Sequence, residues 1–203
     1  MNQPAARDID FLSLLRKETS TLHRALENTV LSVSLMSNDL TRNTYTRYLA
    51  AMAPVMEWYD VHIIPMVMEI IPDAGDRNKL PALVTDLGYL TGNTAISEVA
   101  FAPPQIDNSD AAMGAAYVIE GSTLGGQFIL KHAAPKLNLD ASHGASYFTG
   151  YGSATGIKWK SFLATLTSFA SNGNQHAIIG GANNTFESIL RHFNKYGSAT
   201  TIS

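Results

Sequence analysis

Two stretches of this 203-residue chain carry residue types whose spacing could do chemistry. The first is Arg16, Ser20, His23 and Glu27, which follow a 4-3-4 spacing. On a helix, at about 100° per residue, those four share one stripe. A neutral imidazole nitrogen is a good ligand for a transition metal such as iron. Its second nitrogen needs an acceptor to fix tautomer and ring orientation, and Glu27 stands one turn away. Arg16, two turns earlier on the stripe, can pair with an anionic group at a ligand's edge. Taken alone, His23 reads as a partly exposed, satisfied histidine.

The second stretch is Gly121-Ser122-Thr123-Leu124-Gly125-Gly126-Gln127, inside the apolar segment from Ala111 to Ala134. Each glycine weakens a helix by roughly 1 kcal/mol relative to alanine. Gly121 and Gly125 are four apart and so lie on one helical face. A face without side chains lets something flat lie directly against the main chain. The opposing reading is a seam of small residues where another helix packs closely. On these residues alone the two readings are evenly matched. Combined with the first stretch, the pieces describe a candidate haem site: an axial histidine, a base for the propionates and bare backbone on the other side.

The elements that must position these residues are helical throughout. Phe11, Leu14, Leu15, Leu22, Ala25 and Leu26 recur at helical spacing, so a first helix is expected from Asp8 to about Val30. Leu40 to Ile71 reads as one long helix or two joined ones, kinked or broken at Pro54 and Pro65. Leu80 to Tyr89 reads as a short helix with Gly92 near its end, and Asn108, Ser109 or Asp110 can cap the glycine-bearing helix. Pro135 is expected to end that helix. Another helix is expected over about Ala154 to Ala170, with Trp159, Phe162, Leu166 and Phe169 on its apolar face. Ser171 to Asn184, rich in Asn and Gly, reads as a loop before a last helix from Thr185 to Tyr196, with Gly197 as its C-cap. Runs of strict two-residue alternation are absent. The expected fold is an all-α, multi-helix bundle forming one domain over residues 1–203, with 1–8 and 197–203 flexible.

Composition narrows the function classes. The net charge of -3 disfavours nucleic acid as a partner. The chain has no cysteine, which excludes disulfides, thiolate metal sites and cysteine nucleophiles. The absence fits a cytoplasmic protein. Met1 to Asp10 has no apolar core, so no signal peptide is expected. Val61 to Ile71 carries His62, Pro65 and Glu69, and no run is clean enough to span a bilayer.

Three motifs resemble a known family. Leu15-Arg16-Lys17-Glu18-Thr19 through His23-Arg24-Ala25-Leu26-Glu27-Asn28 resembles the proximal helix of haem oxygenases. Tyr117-Val118-Ile119-Glu120-Gly121-Ser122-Thr123-Leu124-Gly125-Gly126-Gln127 resembles their distal helix, in the bacterial biliverdin-producing branch. Tyr147-Phe148 through Gly152, then Thr155-Gly156 and Trp159-Lys160, is similar to that branch's third signature. The resemblance runs in order from about Phe11 to Phe169. It implies a haem-oxygenase-like fold with His23 as proximal iron ligand and Glu27 as its supporting partner. Gly121, Gly125 and Gly126 would let the distal helix bend over haem and leave room for dioxygen. Arg16 and Lys160 match basic positions that hold the propionates, with Tyr117 near a tyrosine used likewise. The implied reaction uses haem as substrate and cofactor. With O2 and an external electron donor, such as a ferredoxin or a reductase, it yields biliverdin, CO and ferrous iron. A bilin acceptor such as a phytochrome would be a further partner.

Two positions depart from the pattern. Ser122 stands where the mammalian branch has an aspartate, and its hydroxyl can hold a water or bond back to its own helix. Ala164 stands where a second basic residue is expected one turn after Lys160. Other readings stay open on this scaffold. A thiaminase-like hydrolase needs the cysteine this chain lacks. A di-iron oxidase needs inward carboxylates from several helices, and Glu57, Asp60 and His62 do not share a face. A haem carrier or sensor would bind without degrading. His62, His132, His143, His176 and His192 read as surface or loop histidines, and Lys131 and Lys136 as helix-end charges.

Overall fold

The computed structural model describes residues 10–92 and 100–198. Among them the chain is α-helical, with only isolated bridges from Asp140 to His143 and Gly144. The expected all-α architecture is therefore the one that forms. No helix among the described residues is long and apolar enough to cross a membrane.

The first helix, α1, spans Phe11–Glu27 and buries Phe11, Leu15 and Thr19. Asp8, the expected start, lies outside the described residues. A short helix not anticipated from the sequence follows, α2 at Val30–Leu35, capped by Thr29, whose hydroxyl accepts from the Ser32 amide. The third helix, α3, spans Arg42–Trp58 and passes Pro54 without ending. It widens into a π turn over Tyr59–Ile63 and continues as α4, Ile64–Val67. The widened turn falls just before Pro65, whose ring removes a regular i→i−4 bond. The next helix, α5, spans Leu80–Thr91 and ends on Gly92 in the left-handed conformation. Asp60, in the π turn, caps it by accepting from the Lys79 and Leu80 amides at 2.9 and 2.8 Å.

The organising element is α6, Ser109–Leu137. Asn108 caps it by accepting from the Ala111 amide at 2.9 Å. Contrary to the sequence reading, Pro135 does not end α6. A proline so near the terminus removes one bond only, and the Leu139 amide closes the end on Ala134 O at 3.0 Å. After the one-turn α7, Ser146–Thr149, comes α8, Thr155–Ala170.

The largest departure is α9, which runs from Gln175 to Ser198 through the segment read as a loop. Its start is capped by Asn174, whose Oδ1 accepts from the Ala177 amide. One of its early glycines, Gly181, serves a crossing with α6. A Cβ on Gly181 would collide with the Ala111 carbonyl, and one on Gly114 with the Ile178 carbonyl. The small-residue seam considered for Gly121 and Gly125 thus exists, about two turns earlier on the same helix, at Gly114. Gly197 is not a C-cap, because α9 continues through Ser198. Of the stretches expected to be flexible, 1–8 and 199–203 lie outside the described residues.

Candidate functional site

A cavity of about 740 Å³ is walled by α1 on one side and α6 on another, with α2, α3, α7, α8 and α9 completing it. That volume lies within the roughly 300–1,000 Å³ typical of small-molecule and cofactor sites. Both chemically suggestive stretches meet there. Arg16, His23 and Glu27 line it from α1, while Tyr117, Gly121, Ser122, Gly125 and Gly126 line it from α6.

His23 is half exposed, and its ring meets Phe186 edge-to-face at 5.5 Å. Nδ1 stands 3.6 Å from Glu27 Oε2, one turn on. That is beyond hydrogen-bonding distance but within easy rotamer reach of it. With Nδ1 on the Glu27 side, Nε2 is the nitrogen left to bind a metal. Arg16 and Tyr117 line the cavity together, and burial raises the Tyr117 hydroxyl above its ordinary value against the opposing pull of the Arg16 charge. Lys160 is exposed and does not line the cavity; it follows Trp159, which does.

The glycines separate into two roles. A Cβ on Gly125 would meet nothing within 4 Å, so that backbone faces open cavity. A Cβ on Gly121 would rest in ordinary contact with Trp159 at 3.5 Å. On Gly126 it would press on Phe148 Cδ1 at 3.3 Å, so Gly126 also admits a packed ring. Ser122 Oγ donates to Ile119 O at 2.7 Å, the back-bond to its own helix.

Sequence reading assigned no role to Glu120, which is 1% exposed directly before Gly121. It anchors a buried ion cluster. Arg77 donates to one carboxylate oxygen and Lys79 to the other, and Tyr151 and Tyr59 donate as well. Arg77 also binds Asp73, which Lys158 reaches at 2.6 Å. Burial lowers the Lys79 ammonium below its ordinary value, against the opposing pull of Glu120. The cluster ties α6, at the residue before the glycines, to the 73–79 segment and to the turn after α7. The signal was present: a lone carboxylate in an apolar helix needs buried cations. Its cations, Arg77 and Lys79, stand more than forty residues earlier in the chain.

The remaining histidines divide. His62, His143 and His176 are exposed, and His143 pairs with Asp140 at 3.0 Å. His132 is partly buried and its Nε2 donates to Ser37 O at 3.0 Å, beside Lys136, which bonds the Ser37 and Asn38 carbonyls. His192 is buried, not a surface residue as expected; Nε2 donates to Ala51 O at 2.9 Å and Nδ1 is unpartnered among the described residues. Among the described residues no three His, Asp or Glu side chains are grouped to hold a metal. Asp60 is committed to capping α5, which removes it from the di-iron reading.

Comparisons with known proteins agree with this architecture. No curated protein sequence matches the chain significantly. Among solved structures, the NO- and CO-bound haem oxygenase of Neisseria meningitidis superposes with a TM-score of 0.79 at 22% identity, covering 96% of each chain. The Leptospira interrogans haem oxygenase gives 0.70 at 22% identity, over 92% of this chain and 99% of that one. Haem oxygenase-1 of the cyanobacterium Synechocystis sp. PCC6803, in complex with haem, gives 0.69 at 18% identity over 94% of each. The sequence model described as Heme oxygenase matches residues 9–195, nearly the whole chain, and the chain accordingly belongs to the haem oxygenase family of haem-degrading oxidoreductases.

Proposed function

We propose that this chain binds haem in the cavity between α1 and α6 and, with O2 and external electrons, converts it to biliverdin, CO and ferrous iron. The observation that carries the proposal is the cavity itself. It sets an exposed imidazole on α1 and side-chain-free backbone at Gly121 and Gly125 on α6 into one wall system. A planar ligand with a central metal fits that pairing. The apolar edge supports it too: Phe128 and Met36 line the cavity yet are 68% and 51% exposed, surface that an apolar macrocycle would cover.

In this reading each residue has a physical task. His23 Nε2 holds the iron, while Glu27 accepts from Nδ1–H and fixes the ring. Arg16 pairs with a propionate, oriented by Tyr117, and Lys160 adds positive charge toward the solvent edge. Gly121 and Gly125 keep the far side of the macrocycle open for a diatomic ligand. Gly126 lets the distal helix sit on Phe148. Bound haem supplies the redox chemistry; the protein orients it and excludes bulk water. Electrons come from outside, from a ferredoxin or a reductase, because a cysteine-free chain holds no thiolate-bound cluster. The same lack of cysteine supports a cytoplasmic setting.

The test is turnover of the hemin-loaded protein in air with ascorbate or a ferredoxin–reductase system. The expected result is loss of the Soret band, growth of a biliverdin band and release of CO. A Soret band that persists through many equivalents of reductant would identify a haem carrier or sensor instead.

A further inference from the structure

The one-turn helix α7 is tied more firmly than a piece of backbone that short needs for chain continuity. Four residues do not form a stable helix by themselves, since nucleation is unfavourable. Here both ends are held from other helices. Asp86, buried on α5, accepts from the Ser146 amide at 2.9 Å and the Tyr147 amide at 2.8 Å. Gln127, on α6, donates its side-chain amide to Phe148 O at 3.2 Å and Thr149 O at 3.0 Å. Between the ties, Phe148 is packed against Tyr45 and Tyr48 and under Gly126. Asp86 thus spends a buried carboxylate, and Gln127 a residue of the distal helix, on the orientation of α7.

The side chain this arrangement aims at the cavity is Tyr147. It lines the cavity that Ser122, Gly125 and Gly126 also line. Burial keeps its hydroxyl protonated well beyond the ordinary tyrosine range. Ser122 has one proton, directed to Ile119 O. The Tyr147 side chain lines the cavity, so its O–H is a donor that an acceptor arriving there can engage.

We propose that Tyr147 is the hydrogen-bond donor to ligands bound over the glycine face of the haem, with Asp86 and Gln127 as positioning residues. The proposal rests on the cavity being the haem site, and it involves no covalent step. A tyrosine donor one helix away from the bare backbone gives the site a polar group without closing the space that the glycines open.

The test uses the hemin-loaded protein and two probes of hydrogen bonding other than turnover: the C–O stretching band of the ferrous–CO complex and fluoride affinity of the ferric form. Tyr147→Phe keeps the ring and both ties on α7. It is expected to leave hemin affinity unchanged, to move the C–O band to higher frequency and to weaken fluoride about tenfold, which corresponds to about 1.4 kcal/mol. Gln127→Leu keeps the hydroxyl but loosens α7, and is expected to broaden the C–O band with a smaller loss of fluoride affinity. If Tyr147→Phe does not fold, the Gln127→Leu result decides. Normal hemin binding with an unmoved C–O band and unchanged fluoride affinity in these variants would overturn the role of Tyr147 while leaving the haem site standing. Failure of the unaltered protein to bind hemin would overturn the haem-site reading on which the proposal depends.

Discussion

At the scale of single residues, the account turns on what is missing as much as on what is present. Gly125 faces open cavity, so the usual reason for a glycine in a helix, a close neighbour, does not apply. An alanine there has room in the empty protein and favours the helix by up to about 1 kcal/mol. Gly125→Ala is therefore expected to raise the melting temperature slightly while weakening hemin binding, measured by thermal unfolding and absorbance titration. A variant that is stabilised and binds hemin normally would remove Gly125 from the site. Gly114 gives the opposite case. Its missing Cβ is the space for the Ile178 carbonyl, so Gly114→Ala is expected to cost about 1–3 kcal/mol, whether or not hemin is present. The sequence could not tell these glycines apart, because four-residue spacing on an apolar helix is the same for a ligand face and for a helix crossing.

Elements decide how the site is held. The ion cluster around Glu120 fixes α6 immediately before its glycine stretch, with Arg77 and Lys79 on its two oxygens. Removing one member of a buried cluster leaves uncompensated charge and typically costs about 3–5 kcal/mol. Glu120→Ala is thus expected to lower the melting temperature by roughly 10 °C for a chain of this size, at about 2–4 °C per kcal/mol. A shift within a degree would show that the cluster does not hold α6. At the other contact, α9 against α3, burial depresses the His192 pKa below its ordinary value. The unfolded chain then binds the proton more readily, so this contribution is intact above about pH 6.5 and is lost as pH falls below that unfolded-state value. His192→Gln is expected to flatten the decline in stability between pH 7 and pH 5, followed by denaturant titration at each pH. A decline equal to that of the unaltered protein would place the acid sensitivity elsewhere.

Across the whole molecule, helical periodicity was enough to read an all-α fold, because amphipathic stripes such as that of Phe11, Leu15 and Leu22 carry their period locally. Segment ends were less legible. Ser171 to Asn184 looked like a loop because Asn and Gly favour turns, yet Gly181 answers to a crossing partner more than sixty residues away. Gly197 and Pro135 likewise followed local rules that neighbouring contacts overrode. The grouping of Arg16, His23 and Glu27 was legible, since spacing alone put them on one stripe, and the fold brings them together with Tyr117 in the wall of one cavity. Lys160 matched by motif and stands outside the wall. The partners of Glu120 and the placement of Tyr147 were not legible, because both depend on residues far apart in sequence meeting in space.

The central claim, that the cavity is a haem site with His23 on the iron, is tested most directly by an absorbance titration with hemin of the unaltered protein and of His23→Ala. The expected result is saturation near one haem per chain with a histidine-ligated spectrum, and loss of that spectrum in His23→Ala, whose exposed side chain contributes little to the fold. The same affinity and spectrum in both proteins, or no saturable binding in either, would contradict it.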